Sequence, residues 1–368
     1  MKIGIMTMHR VQNIGSVLQA YALQRKIEQF GYTAELIDYI FPPIKKDPHS
    51  AIRDAFNFGW NVIQGFPNKK KQQKLDAFRK EYLCCSKQSY TRERLLADPP
   101  IYDVYCTGSD QVWNPIHVGL DCSFMMDFAP VGAPRIAYAS SFATKEVGEP
   151  FFSLYAKHLK KYKHITVREQ SGVSVVKKMT GKNVSVTCDP TLLLSADEWQ
   201  PIVDASDMNL PQGYILVYLL RYMFDPRPGF YNIVESVRRA LQLPVYQCNP
   251  CPADSFVFKV KALNGVGPAD FVSIVKNASF IITDSFHGAA FATIFNVPMI
   301  GVVKDDLNGD GRIATLRAKV GGENSVVCHN KPLKISPDVS LYRNDSKKAS
   351  DLRLSSLEEL RKMLINKG

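Results

Sequence analysis

Five stretches of the chain place reactive side chains beside residues that shape the backbone. Ile281 to Gly288, IITDSFHG, runs an apolar strand pattern straight into Asp284, Ser285 and His287 before the helix-like AAFATIF. A carboxylate and an imidazole at the carboxyl end of a strand can serve as base and acid. A His at a helix start also meets a dipole that disfavours its charge unless an anion compensates. Thr107 to Asn114, TGSDQVWN, ends a second apolar run. It offers Ser109 and Gln111 as hydrogen-bonding groups, Asp110 as acid or base, and Trp113 as an aromatic plate of the kind sugars stack on. Near the start, TMHRVQNIGSVLQ places Asn13 and Gly15 at a helix opening, with Ser16 available as a cap. Free backbone N–H groups there can receive an anion or a sugar hydroxyl. Arg168 in TVREQSG and Arg312 in NGDGRIATL complete the set, because a planar guanidinium suits carboxylate and phosphate. Each has a structural alternative: a tight connection for Asn13 and Gly15, a core position for Trp113, a cap for Asp110, and a pairing with Glu169 for Arg168.

Other patterns fail on chemistry. Asp306, Asn308, Asp310 and Gly311 copy the opening of a calcium loop, but its twelfth position is Arg317 where a bidentate Glu is required. Cys248 and Cys251 form one CxxC with no second pair and no nearby His, so no metal is expected. Gly265 and Gly267 begin a dinucleotide fingerprint whose third glycine position is Asp270. No Walker loop or GxSxG elbow is present.

The elements that would carry these residues alternate. KIGIMTM reads as a strand, Gly15 to Phe30 as a helix stopped at Gly31, and AELIDYI as a strand, making a βαβ unit. Residues 41–100 read as a helical excursion, with helices over Ala51 to Gln64 and Lys69 to Tyr82. Strand signals return at Tyr102 to Thr107, Arg135 to Ser140 and His164 to Arg168. A second alternating half begins at Tyr214: YILVYLL, a helix over Tyr231 to Leu241, VYQC, a helix over Ala269 to Lys276, SFIITDS, a helix after His287, and PMIGVV. The polar, proline-containing stretch Ser195 to Gln212 reads as the linker, giving domains over 1–194 and 195–368. Ser355 to Ile365 reads as a terminal helix packing back across them. The expected class is α/β, with two mainly parallel sheets covered on both faces and ligands at the carboxyl ends of strands in a cleft between domains.

Composition narrows the function classes. The 368 residues are 45% hydrophobic and 22% charged, as in a folded globular protein rather than a disordered one. The apolar run after Lys2 breaks at His9 and Arg10, too early for a secretory signal, and eight scattered cysteines read as free thiols. A cytoplasmic address is expected. The net charge of +11 favours anionic partners. Lysines cluster in Asn68 to Lys74 and Lys157 to Lys163, both helix-like; they suit a solvated face, or a peripheral contact with an anionic membrane at its inner side. No basic motif interleaved with aromatics is present, so nucleic acid is not an expected partner.

Taken in order, KIGI, N-x-G-S-V-L-Q-A-Y-A-L-Q, GSDQVWN, YASSF, VRE-x-SG, CDPTLLL and TDSFHGAAFATIF resemble the polysaccharide pyruvyl transferase family over roughly residues 1 to 320. The resemblance implies two Rossmann-like domains facing a cleft, as in GT-B glycosyltransferases, with the donor, phosphoenolpyruvate, on the C-terminal side and the acceptor on the N-terminal side. It implies no further cofactor. His287 matches the family's motif His, Arg168 the Arg of its VRE-like segment, and Arg312 the Arg after the loop that follows the last strands. The chain departs from better-known members in having DSFHG where they carry an S-R-L-H type motif, with Phe286 flanking the His. The implied partners are phosphoenolpyruvate and a glycan or lipid-linked oligosaccharide. In this reading Arg168 and Arg312 hold the two anionic ends of the donor, His287 is the acid or phosphate partner, and Asp110 or Asp284 is the base. Competing expectations are a nucleotide-sugar glycosyltransferase using the same cleft and a noncatalytic glycan-binding relative.

Overall fold

The computed structural model describes residues 1–41, 65–221, 224–248, 254, 260–304, 311–331 and 335–365. The helix expected over Ala51 to Gln64, together with Cys251 and Asp306 to Asp310, lies outside these residues.

The alternating pattern becomes two six-stranded sheets, parallel throughout. The first, in the order β2-β1-β3-β4-β5-β6, consists of β1 (Lys2–Met6), β2 (Thr33–Leu36), β3 (Val104–Thr107), β4 (Arg135–Ser140), β5 (His164–Val167) and β6 (Ser185–Val186). The second, in the order β12-β11-β10-β7-β8-β9, consists of β7 (Ile215–Tyr218), β8 (Val245–Cys248), β9 (Lys261–Leu263), β10 (Phe280–Thr283), β11 (Met299–Val303) and β12 (Val326–Cys328). Continuous apolar runs such as VYCT and FIIT are buried along their whole length, as strands covered on both faces must be.

The connecting helices are α1 (Ile14–Gln29), α2 (Gly65–Tyr82), α3 (Arg92–Ala97), α4 (Pro115–Val118), α5 (Phe151–Leu159), α6 (Gln170–Thr180), α7 (Gln200–Asp204), α8 (Gly229–Leu241), α9 (Pro268–Lys276), α10 (Phe286–Ile294), α11 (Arg312–Lys319) and α12 (Ser346–Ile365). Two local expectations change. Asn13, not Ser16, caps α1: its Oδ1 accepts from the Gly15 and Ser16 N–H groups. The lysine run after Tyr155 is only partly helical, because α5 ends at Leu159 and the chain turns before β5. Between the sheets, the polar stretch read as a linker contains α7. The terminal helix α12 starts nine residues earlier than expected; its Ser356 Oγ accepts from the Cys188 N–H at 3.0 Å, and Arg361 covers the Phe30 ring at 4.8 Å.

One apolar core crosses from the first half into the second. Trp199 lies between Tyr21 of α1 and Phe291 of α10, with ring centroids 5.6 and 4.9 Å away, and Phe291 meets Phe271 of α9 at 5.6 Å. The helical excursion joins in through α2: Lys74 bonds Asp270 at 2.8 Å and Asp207 at 2.9 Å. Lys26 of α1 bonds Glu198 at 2.6 Å. This seam fixes how the carboxyl ends of the two sheets face each other.

Candidate active site

Residues following β1, β2, β3, β7, β10 and β11 line a cavity of about 260 Å³ between the halves. The first half contributes Met8, Val11, Asn13, Ser16, Phe41, Asp110, Gln111 and His117. The second contributes Leu220, Phe224, Asp284, Ser285, Phe286, His287 and Arg312. Three helix starts open on it: α1 through Asn13 and Ser16, α10 through Ser285 to His287, and α11 through Arg312. The first-turn N–H groups of a helix lack intrahelical partners and its start carries partial positive charge; Asn13 and Ser285 take some of these N–H groups, and the dipoles still favour an anion in the cavity.

His287 is the second residue of α10 and is buried to 6% exposure. Its Nε2 is enclosed and makes no hydrogen bond; the nearest carboxylate oxygen is Asp189 Oδ2 at 3.7 Å. Its other nitrogen runs beside Gly15, where an added Cβ would fall 2.1 Å from Nδ1. Gly15 is thus required by the close approach of α1 to the imidazole and does not line the cavity.

Asp110 takes a backbone φ of +77°, a region disfavoured for any residue with a Cβ, and this strain turns its carboxylate into the junction. It accepts from the Ser16 hydroxyl and from the Gln111 N–H. Burial alone would raise its proton affinity; Arg168, His287, Ser16 and Arg312 together hold it below the usual carboxylate range. Asp284 behaves oppositely. Burial pushes its carboxyl up, and the N–H groups of Leu220 and Arg221, at 2.7 and 2.9 Å, offset this only in part. One carboxyl held down and another pushed up is a pairing that can divide acid and base work.

The remaining expected residues separate into those at the cavity and those behind it. Ser285 caps α10 by accepting from the Gly288 N–H, and Gln111 accepts from Asn114 and bonds His117. Trp113 does not face the cavity as a sugar plate: it is fully buried against Phe142 and Tyr162, its indole donating to the Phe124 carbonyl. Ser109 is also internal, its one hydroxyl proton shared between Asp189 Oδ2 and the Ala139 carbonyl. Arg168 does not converge with Arg312 on one anion. It is 4% exposed, its Nη1 bonds Asp189 at 2.8 Å, its Nη2 is 3.7 Å from Asp110, and its guanidinium lies 4.6 Å from the Phe286 ring. Nor is Glu169 its main partner, since that carboxylate accepts from Ser141, Phe142 and Ala143.

Asp189, Ser16, His117 and Phe286 enter the site without having been singled out as functional. His117, in the WNPIH turn, lines the cavity, and burial pushes its imidazole below the ordinary value. Asp189, in CDPTLLL, is fully buried, and although burial opposes it, His287 and Arg168 hold it well below the carboxylate range. Only the strand-to-turn position of CDPT signalled it. Two mixed clusters elsewhere, His9 with Asp38 and Cys85 and Cys122 with Asp127 and His158, have ligand atoms within reach of one another. In both, an arginine already binds the carboxylate: Arg10 on Asp38 and Arg92 on Asp127.

The sequence profile of the family described as polysaccharide pyruvyl transferase matches residues 13–306. No curated protein matches the chain. Among solved structures, the fold is similar to that of UDP-GlcNAc 2-epimerase from Methanocaldococcus jannaschii, with TM-score 0.54 and 13% identity over 97% of this chain and 99% of that one. It is also similar to a putative UDP-N-acetylglucosamine 2-epimerase from Listeria monocytogenes, with TM-score 0.54 and 11% identity over 98% and 90% of the two chains. The S. aureus MnaA-UDP structure gives TM-score 0.52 and 14% identity over 100% and 97%. The two-sheet architecture is therefore GT-B-like. No helix among the described residues is long and apolar enough to cross a membrane.

Proposed function

The chain belongs to the polysaccharide pyruvyl transferase family, and on that premise we propose that it moves a pyruvyl group from phosphoenolpyruvate to a hydroxyl pair of a surface glycan or its lipid-linked precursor. The observation that carries this reading is the meeting of three helix starts, Arg312 and His287 in one cavity. Phosphoenolpyruvate brings a phosphate and a carboxylate, and a site built from N–H groups and one cavity-facing guanidinium suits both. Arg312 and the α10 start hold the donor, while Asn13 and Gln111 with the apolar wall of Met8, Val11 and Phe41 receive the sugar. Protonated His287 gives its proton to the methylene carbon, and C2 becomes cationic. One sugar hydroxyl adds at C2, the C2–O bond to phosphate breaks, and the second hydroxyl closes the ketal. The two hydroxyl protons replace the one given by His287 and leave with phosphate. Asp284, inclined to take a proton, is the nearer fit for the base, and Asp110 stays ionised to balance the cations around it. A cytoplasmic enzyme touching an anionic inner membrane surface fits exposed Lys157 and Lys160 on the same half as exposed Ile116 and Leu120.

The test incubates the protein with phosphoenolpyruvate and candidate glycans and follows phosphate release, with mass spectrometry of the glycan for the added ketal. His287→Ala should lower turnover by roughly 10² to 10⁴ with an unchanged melting temperature. Release of nucleotide from a UDP-sugar, with phosphoenolpyruvate untouched, would instead establish the glycosyltransferase reading. Sugar binding with turnover of neither donor would leave only a glycan-binding role.

A further inference from the structure

The two nitrogens of His287 meet different surroundings. Nε2 has no solvent contact and no hydrogen bond, and it faces Asp189 Oδ2 at 3.7 Å. Of its two nitrogens Nε2 alone is enclosed without a partner, so the nitrogen left for the cavity that His287 lines is Nδ1, which passes beside Gly15. Asp189 is immobilised from every other side. Its Oδ1 accepts from the Thr191 N–H at 3.0 Å and the Thr191 hydroxyl at 2.8 Å. Its Oδ2 accepts from Arg168 Nη1 at 2.8 Å and the Ser109 hydroxyl at 3.0 Å. A carboxylate surrounded by four donors stays ionised, and its only titratable neighbour on the cavity side is the imidazole.

We propose that Asp189 is a positioning residue for His287: it holds the proton of the neutral imidazole on Nε2, directs Nδ1 at the substrate, and stabilises the imidazolium formed when Nδ1 is protonated. This rests on the reading of His287 as the acid. At 3.7 Å the Nε2–Asp189 contact is longer than a formed hydrogen bond, and closing it takes a shift of about 0.7 Å, of the kind catalytic contacts undergo when substrate binds. Arg168 gains a role that exposure would have denied it. With one nitrogen on Asp189 and its Nε and Nη2 enclosed beneath Phe286, it anchors the carboxylate rather than the donor. The proton passes from Nδ1 to the donor carbon and the imidazole returns to its Nε2–H form; Asp189 never takes it.

The test is nitrogen NMR of the full chain labelled at histidine, with the His287 signals assigned by their loss in His287→Gln. The native protein should show neutral His287 as the Nε2–H tautomer. In Asp189→Asn the negative charge that holds the proton on Nε2 is gone, so the Nδ1–H tautomer should gain population. Turnover of phosphoenolpyruvate should fall about 10²-fold or more, with the donor KM changed less than about threefold. An unchanged tautomer, or native turnover, in Asp189→Asn overturns the proposal. If that variant does not fold, Thr191→Val decides, since it loosens the carboxylate without removing its charge: a mixed tautomer and about tenfold lower turnover are expected, and native values in both overturn the proposal. Native turnover in His287→Gln would instead remove the acid role of His287, whatever the tautomer, and so separates that failure from this one.

Discussion

The two halves of the molecule meet along one seam with two unlike regions. On one side Tyr21, Trp199, Phe271 and Phe291 merge the halves into a single apolar core. On the other, Asp110, Arg168, Asp189 and His287 form a buried polar junction with the nitrogens Arg168 Nε, Arg168 Nη2 and His287 Nε2 left without hydrogen bonds. The apolar side fixes the relation of the sheets through area and shape, which tolerate small adjustments. The polar side does not tolerate the loss of a partner, because a buried charge left unpaired costs far more than a small change of distance. The seam thus separates holding from working, and the working side depends on the holding side for its distances.

Removing one partner from each region is the strongest way to break the comparison. Arg168→Ala strands two buried carboxylates and should cost about 3–5 kcal/mol in a denaturant titration; a donor clamp at Arg168 would instead raise the KM for phosphoenolpyruvate with little loss of stability. Trp199→Ala should cost a similar amount, about 3–5 kcal/mol, by opening a cavity between α1 and α10. The two should differ in activity measured well below their melting temperatures. Trp199→Ala should keep turnover within a few-fold of native, while Arg168→Ala should lose it with the anchoring of Asp189. Equal losses of turnover in both would show that the seam does not divide in this way.

A smaller change targets the place where the two regions touch. Gly15→Ala adds one methyl group in α1, which elsewhere in a helix would stabilise by roughly 0.5–1 kcal/mol. Here its Cβ would fall 2.1 Å from His287 Nδ1, and the ring must turn away. A displacement of about 1 Å at a reacting group can cost about 10²-fold in rate, so turnover should fall by roughly that factor, and because the Cβ would also fall 2.3 Å from His287 Cγ and 2.8 Å from its Cβ, the melting temperature should fall with it. A native rate would mean that α1 and α10 adjust freely at this contact.

Much of the fold was legible because its signals are local. Short apolar runs located β1, β4 and β8, and helical spacing located α1, α8 and α9 within one or two residues. The short edge strands β6 and β12 were not legible, since two or three residues carry no periodicity. The site was legible in its parts but not in its arrangement. Asp110, Asp284, Ser285, His287 and Arg312 announced themselves by ending strands or opening helices, and all line the cavity. Trp113 and Arg168 announced themselves in the same manner and are enclosed, because burial depends on what packs over them: Phe142 and Tyr162 for one, Phe286 for the other. Asp189 could not be found from spacing, as its partners Ser109, Arg168 and His287 lie far from it in the chain and reach it only through the fold.

The mildest test compares the two carboxylates at the cavity, one on each half, through pH. Asp110 has its folded-state proton affinity lowered, chiefly by Arg168 and His287 against the opposing effect of burial. Its contribution to stability is therefore complete above about pH 4, the unfolded carboxyl value, and is lost as pH falls through the folded one. Asp284 is raised by burial, so the sign reverses: its contribution is complete below about pH 4 and is lost as pH rises through its folded value. Asp110→Asn should make the fall in denaturant midpoint from about pH 5 to about pH 3 shallower than native. Asp284→Asn should make it steeper, since the variant loses the gain that opposes the fall in the native protein. The same slope in all three proteins would mean that the cavity does not treat its two carboxylates differently, and the division of acid and base work between the halves would lose its electrostatic basis.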